Sequence, residues 1–472
     1  MRGLRSTLVL LLLFLAIGGY AWFIERERPP ASEADANEPA FDVEADRITA
    51  LTVTADNGDV TELSRAAEGE NDWTVTAPVA TAADDNAATG IASSLASLEI
   101  RRVVDENAAD LSVYGLAEPT FSVEFGTADA AAVTLAVGDE TPTGGERYAA
   151  IDGAARIILI PSFVESTFNR TTLELRDRSV LEFTGPDVTS LTVEQPAGTL
   201  RFSKAEGDWR IADPLDVRAD FGLVEGMVGR LGSAEMISIA SDSVGEEELE
   251  PFGLDAPRLT TTLEVDGDTH TLLVGDENPE SAVYARDASR AMVFTIDAAL
   301  VDDLARDAET YRQKDLFDFR PFNATALAIE RGGRTIRFEK GPAETPDAGA
   351  ADDEDGQDDQ APGPVEEEVW RQVEPEPGEV ERTAMDELLR VLSNLRAESF
   401  ADSRAGTGLD APAATVTVTF GDNQQERIVL GRTDDAAHAV HGEEPGAAVL
   451  DAATVDEALE ALNALDPSSP EP

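Results

Sequence analysis

The chain has no cysteine. Disulfides, thiolate metal sites, cysteine nucleophiles and a lipid-modified N-terminal cysteine are therefore excluded. Basic residues are scarce too: 36 Lys and Arg stand against 94 Asp and Glu, for a formal net charge of −58. A field of that sign repels nucleic-acid phosphates and anionic lipid headgroups, so no nucleic-acid binding is expected. There are three histidines, and no Walker loop, nucleophile elbow or glycine-rich dinucleotide fingerprint. Carboxylate pairs such as Asp84-Asp85 abound, but among 94 acids a pair carries little information. This one also opens a helical run, where acids favour the helix dipole. No catalytic, cofactor-binding or metal-ligating residue is assigned, and no cofactor is expected.

The acidity is not local. The stretch from Gly341 to Glu368 holds 11 acids and no base, and without it 83 acids still face 36 bases. The favoured reading is a generally acidic solvated surface, as in proteins from salty environments. The alternative is a docking surface for a basic partner. Stability that falls in low salt, where self-repulsion is unscreened, marks the first.

What is present begins with a hydrophobic N-terminus. Arg2 and Arg5 precede Thr7 to Ile24, an 18-residue run without a charge. As a helix it would span about 27 Å, close to the roughly 30 Å hydrocarbon core of a bilayer. Tyr20 and Trp22 sit near its outer end, where interfacial aromatics are favoured, and Glu25-Arg26-Glu27-Arg28 stops it. The run is longer than a usual signal-peptide core, so residues 1–24 are expected to be a retained membrane anchor. Cleavage before Trp22, after the small residues Gly19 and Ala21, is the alternative. Residues 25–40, with Pro29-Pro30, are expected to be a polar tether.

The remaining chain repeats itself, as a length of 472 residues permits. Trp73, Trp209 and Trp370 are each followed five residues later by a proline: Pro78, Pro214 and Pro375. A Gly-Leu-x-x-Pro motif comes next, at Gly115 to Pro119, Gly253 to Pro257 and Gly408 to Pro412. A further glycine closes a strand-like run: Gly138, Gly275 and Gly431. At an offset of 136, Arg176, Phe183, Leu191, Phe202 and Lys204 match Arg312, Phe319, Leu327, Phe338 and Lys340. Three modules follow, at 41–175, 176–313 and 314–465, with a disordered tail at 466–472. Lys204 to Trp209 is 5 residues and Lys340 to Trp370 is 30, so the acidic tract is expected to be a disordered loop, 341–368, inserted between two strands of module three.

Within a module the patterns predict mostly strands. Leu191 to Phe202 has the alternation of a hairpin. Helical spacing joins Ile91, Leu95 and Leu98 in module one, Val224, Met227 and Leu231 in module two, and Met385, Leu388, Leu392 and Leu395 in module three. Thr383 and Asp386 resemble a capping pair at the third helix start. A second short helix is expected at Ala298 to Leu304 and at Thr454 to Leu462. The tryptophans are expected to anchor cores, the Gly-Leu-x-x-Pro glycines to adopt positive φ, and the last glycines to suit hairpin corners. The fold class is α+β: three tandem β-rich modules, each with one or two helices packed on antiparallel sheet, behind a single N-terminal transmembrane helix.

The histidines offer little. His270 lies in a strand where the other modules have Val133 and Glu426, and looks incidental. His438 and His441 have metal-ligand spacing without an evident third ligand, and are expected in a surface loop. The acidic run Asp352 to Asp359 fails the calcium-loop pattern: with Gly356 at the sixth position, Ala351 and Pro362 occupy the first and twelfth.

Together the Trp-x-x-x-x-Pro, aromatic-Gly-Leu-x-x-Pro and Val-Gly-Asp runs resemble the bacterial family called domain of unknown function 4340. They are carried by Trp73/Pro78, Tyr114 to Pro119 and Val137 to Asp139, and by Trp209/Pro214, Phe252 to Pro257 and Val274 to Asp276. Module three departs, with Thr407 for the aromatic and Leu430-Gly431-Arg432 for Val-Gly-Asp. The resemblance brings no catalytic residues. It implies association with ABC-type export systems of the gliding-motility kind. The expectation is a single-pass inner-membrane protein with its bulk outside the cytoplasm, a binding or scaffolding partner of an ABC transporter permease or auxiliary subunit. A purely structural envelope spacer and a hydrolase with an unrecognised carboxylate site are the alternatives.

Overall fold

The computed structural model describes residues 38–66, 72–343 and 368–465. The expected anchor, the tether up to residue 37, the core of the acidic loop (344–367) and the tail lie outside them. Among the described residues no helix is long and apolar enough to cross a membrane.

Three nine-stranded sheets, all antiparallel, follow one plan. In module one the strands are β1 (Ile48–Thr54), β2 (Val60–Ser64), β3 (Thr74–Ala77), β4 (Thr81–Ala82), β5 (Arg102–Asp105), β6 (Phe121–Thr127), β7 (Ala130–Glu140), β8 (Glu146–Ile151) and β9 (Ile157–Pro161), with helix α1 (Asp85–Ala96) between β4 and β5. Their spatial order is β4-β3-β2-β1-β6-β7-β8-β9-β5, and the sheets of modules two and three repeat it strand for strand. Period-two alternation explains the pairing: along β6, Phe121, Val123 and Phe125 are buried while Glu124 is exposed. The chain divides into two compact units, residues 1–178 and 179–472; the second holds the sheets of modules two and three.

Each sheet buries one face against its helix. Ile91 and Leu95 of α1 join Trp73, Leu51 and Val123 in one core. Val224, Met227 and Leu231 do the same in module two, and Met385, Leu388 and Leu392 in module three. The three tryptophans are buried, as expected. Each removes roughly 150–250 Å² from water, on the order of 4–6 kcal/mol before entropy is counted. The proline five residues after each tryptophan forms a cis peptide bond in all three modules: Ala77-Pro78, Asp213-Pro214 and Glu374-Pro375.

The Gly-Leu-x-x-Pro glycines adopt positive φ, at 69°, 67° and 79° for Gly115, Gly253 and Gly408. The later glycines are not hairpin corners. Gly138, Gly275 and Gly431 lie inside strands, and a Cβ there would stand 2.2, 2.0 and 2.5 Å from the carbonyl oxygens of Tyr114, Phe252 and Thr407. The two glycine markers are thus halves of one contact, in which loop backbone presses onto strand backbone.

Three more expectations are corrected. Helix Arg382–Ser393 is preceded by Glu381 without a side-chain cap; Thr383 Oγ1 donates to Glu381 Oε1 (2.8 Å) and forms no box with Asp386. The tether's end is structured, because Glu38–Pro39 pairs with Glu99–Ile100. His438 and His441 lie on strand Ala437–His441, not in a loop. The short helix Ala298–Leu304 forms as expected, and its module-three counterpart is longer, Ala452–Leu465. The acidic tract does connect neighbouring strands of module three, Arg334–Pro342 and Glu368–Glu374, with Lys340 opposite Trp370.

Candidate functional site at the junction of modules two and three

No site residue is assigned from the sequence, and the residues weighed there do not converge. His438 and His441 are three apart on one strand, an odd spacing that sends their side chains to opposite faces. His270 faces Leu263 across a strand pair, with its ring 6.2 Å from that of Phe183. Asp84 caps α1 by accepting from the Ala87 N–H (2.9 Å), and Asp85 accepts from the Trp73 N–H (2.5 Å). Among the described residues no group of three or more His, Asp or Glu is placed to hold a metal ion.

Charge instead gathers where modules two and three meet. Arg218 is the last residue of the edge strand Val217–Arg218 and is largely buried. Its Nε lies 3.3 Å from Glu444 Oε1, which also accepts from the Arg218 backbone N–H at 2.9 Å. Its Nη1 lies 3.5 Å from Asp318 and 3.8 Å from Glu426, and its Nη2 donates to the Asp315 carbonyl at 3.2 Å. Glu426 accepts from the Asp318 N–H at 3.1 and 3.0 Å, and His441 Nε2 approaches it to 3.8 Å. One guanidinium from module two is therefore ringed by carboxylates of module three.

The two central carboxyls are driven apart. Burial, and then repulsion from Glu426, push Asp318 above its ordinary value, against the pull of Arg218. Burial alone would raise Glu426 as well, but the neighbouring His441, the hydrogen bond from the Asp318 N–H and the charge of Arg218 hold it below. Such a split also occurs in acid–base catalysis. Here both carboxyls already face Arg218; Glu426 also accepts from the Asp318 N–H, and Asp318 from Gln313 Nε2 at 3.4 Å. The cavity next to the cluster, lined by Arg218, His441 and Glu444, is about 10 Å³, room for one water. The cluster is a buried ionic joint, and removing one partner would leave uncompensated charge.

A larger space lies on the same junction. A half-open groove of about 560 Å³ runs between the hairpin tip at Ala197–Gly198, the cis-Pro214 turn, the Arg306–Glu309 segment, Arg312, Phe400 and Asp402. Arg312 is 6% exposed, and its guanidinium carbon lies 3.7 Å from the Phe400 ring centroid. Burial pushes Arg312 below its ordinary value, while Glu444, Glu309 and Asp402 oppose the shift.

Sequence reasoning missed both features for a traceable reason. Glu426 matches Val133 and His270 in register and occupies an inward position between Gln425 and Arg427, alternating with Ile428 and Leu430. An acid on a core-facing register was the available signal. Arg312 is one of the residues conspicuous at the repeat offset, but only the fold puts Phe400 against it.

The model of the family described as "Domain of unknown function (DUF4340)" matches residues 73–208 and 209–412. The chain belongs to that family. Both family segments begin at a tryptophan, whereas each sheet begins two strands earlier, so the family's unit and the folded unit are offset. No curated protein and no solved structure matches the chain.

Proposed function

We propose that this family member is a membrane-anchored envelope accessory protein that acts by binding or scaffolding, with an ABC-type transport system as its partner. One observation carries the non-enzymatic part. The four markers shared among the modules all serve the scaffold: the tryptophan fills a core, the proline lies in the exposed connection between two paired strands, and the two glycines press together. What the modules repeat is therefore a shape and not a reactive constellation. The uncharged run Thr7 to Ile24 supports the anchor, and the family resemblance supports the transporter partner.

In-cell crosslinking from surface positions of the modules, followed by purification from membranes, tests the reading. Enrichment of a permease or auxiliary transporter subunit is the expected result. Enrichment of no transporter subunit overturns the partnership, and a mature N-terminus at Trp22 overturns the anchor.

A further inference from the structure

The groove beside Arg312 has a donor without an acceptor at its base. Arginine presents five N–H donors in a planar fork matched to carboxylate. Arg312 is only 6% exposed, yet no acceptor among the described residues hydrogen-bonds its guanidinium, which stacks on Phe400. Its nitrogens face the open groove, so the fork is held in place by the ring and presented to whatever enters. Arg306, the other cation of the groove, already bonds to Asp303. Asp213, Asp307, Glu309 and Asp402 also line the space, so a purely anionic ligand would meet repulsion there. A ligand carrying both a carboxylate and an ammonium meets the fork with one end and the acids with the other. Leu200, Pro214, Leu215, Ala308 and Phe400 supply apolar wall between them. A volume of about 560 Å³ lies within the range of small-ligand sites.

We propose that the groove between modules two and three binds a short peptide, its terminal carboxylate on the Arg312 fork and its free ammonium at the acidic rim formed by Glu309 and Asp402. This goes beyond the accessory reading and does not depend on it, because binding by the purified chain reads out without any transporter.

Calorimetric titration of the detergent-solubilised full chain with trialanine tests it. Binding is expected, weakened about tenfold by amidating the peptide's C-terminus and by acetylating its N-terminus, since each removes one charge-assisted contact. Arg312→Lys keeps the charge and the ring contact but loses the fork, and is expected to weaken trialanine binding by about tenfold. Asp402→Asn, on an exposed residue, tests the rim if Arg312→Lys fails to fold. It should weaken trialanine but leave the N-acetylated peptide unchanged. No binding of trialanine, equal binding of the amidated peptide, or tighter binding of inorganic phosphate overturns the proposal. Undiminished binding by folded Arg312→Lys does so too.

Discussion

Modules one and two lay out the same nine strands in the same order, and their helices start from matching N-caps, Asp84 and Asp220, 136 positions apart. Two of their differences within that common frame bear on function. The edge strand ends in Ala82 in module one and in Arg218 in module two. The helix position that carries exposed Thr89 in module one carries half-buried Glu225 in module two, where it accepts from Trp209 Nε1 and Lys204 Nζ, both at 2.7 Å. Trp73 Nε1, by contrast, is buried without a hydrogen-bond partner. The difference teaches that the repeat fixes the backbone and the core, while its edges and helix surfaces are open to specialisation. In module two that freedom produced a joint to the next module.

The largest effect should come from what the modules share. Gly138→Ala and Gly275→Ala each push a Cβ to within 2.2 and 2.0 Å of a carbonyl oxygen. Both are expected to cost about 3 kcal/mol or more, since backbone must move. Urea denaturation should show comparable losses; a large loss in one module alone would break the equivalence of the two corners.

Next comes Arg218→Ala, which gives module two the residue module one already has. It strands Glu444 and Glu426 without their guanidinium, and about 3–5 kcal/mol should be lost. Calorimetry should then show modules two and three melting separately. A single unchanged transition would show that the ionic joint does not couple them.

The smallest effect lies at the helix surface. Thr89→Glu should give Trp73 an acceptor and stabilise module one by about 1 kcal/mol, and Glu225→Thr should cost module two a similar amount. Burial alone would raise Glu225, but hydrogen bonds from Lys204 and Trp209 outweigh it and hold the carboxyl below its ordinary value. A depressed folded value means that the stabilisation is present above the unfolded value of 4.5 and is lost as pH falls through the folded one. The gain from Thr89→Glu should therefore vanish in acid. A gain that persists there would assign it to helix propensity instead.

Much of the scaffold was legible in the chain itself. The repeat, the buried tryptophans and the helix faces follow from spacing, because burial imposes a period that survives in the sequence. Leu98 and Leu395 even keep their buried places after the helices around them have ended. Other features were out of reach. That Gly115 and Gly138 touch is a contact between backbones, and a missing Cβ announces only that something comes close. Thr383 looked like a cap because cap statistics ignore which residue leaves the helix first. The Arg312 groove belongs to no module's pattern, since Phe400 comes from the following module, with a sheet that local periodicity does not position.

The acidic tract of module three leaves from Pro342 and returns at Glu368, two residues paired directly across a strand ladder. In module two the matching connection is the two-residue tip Glu206–Gly207. Lengthening a connection whose ends are already clamped is cheap, because closure entropy grows only with the logarithm of length: about four doublings cost roughly 2 kcal/mol. The tract is thus a natural graft point. A reporter or affinity domain spliced there, with its own termini close together, would ride on module three without disturbing either strand that carries it.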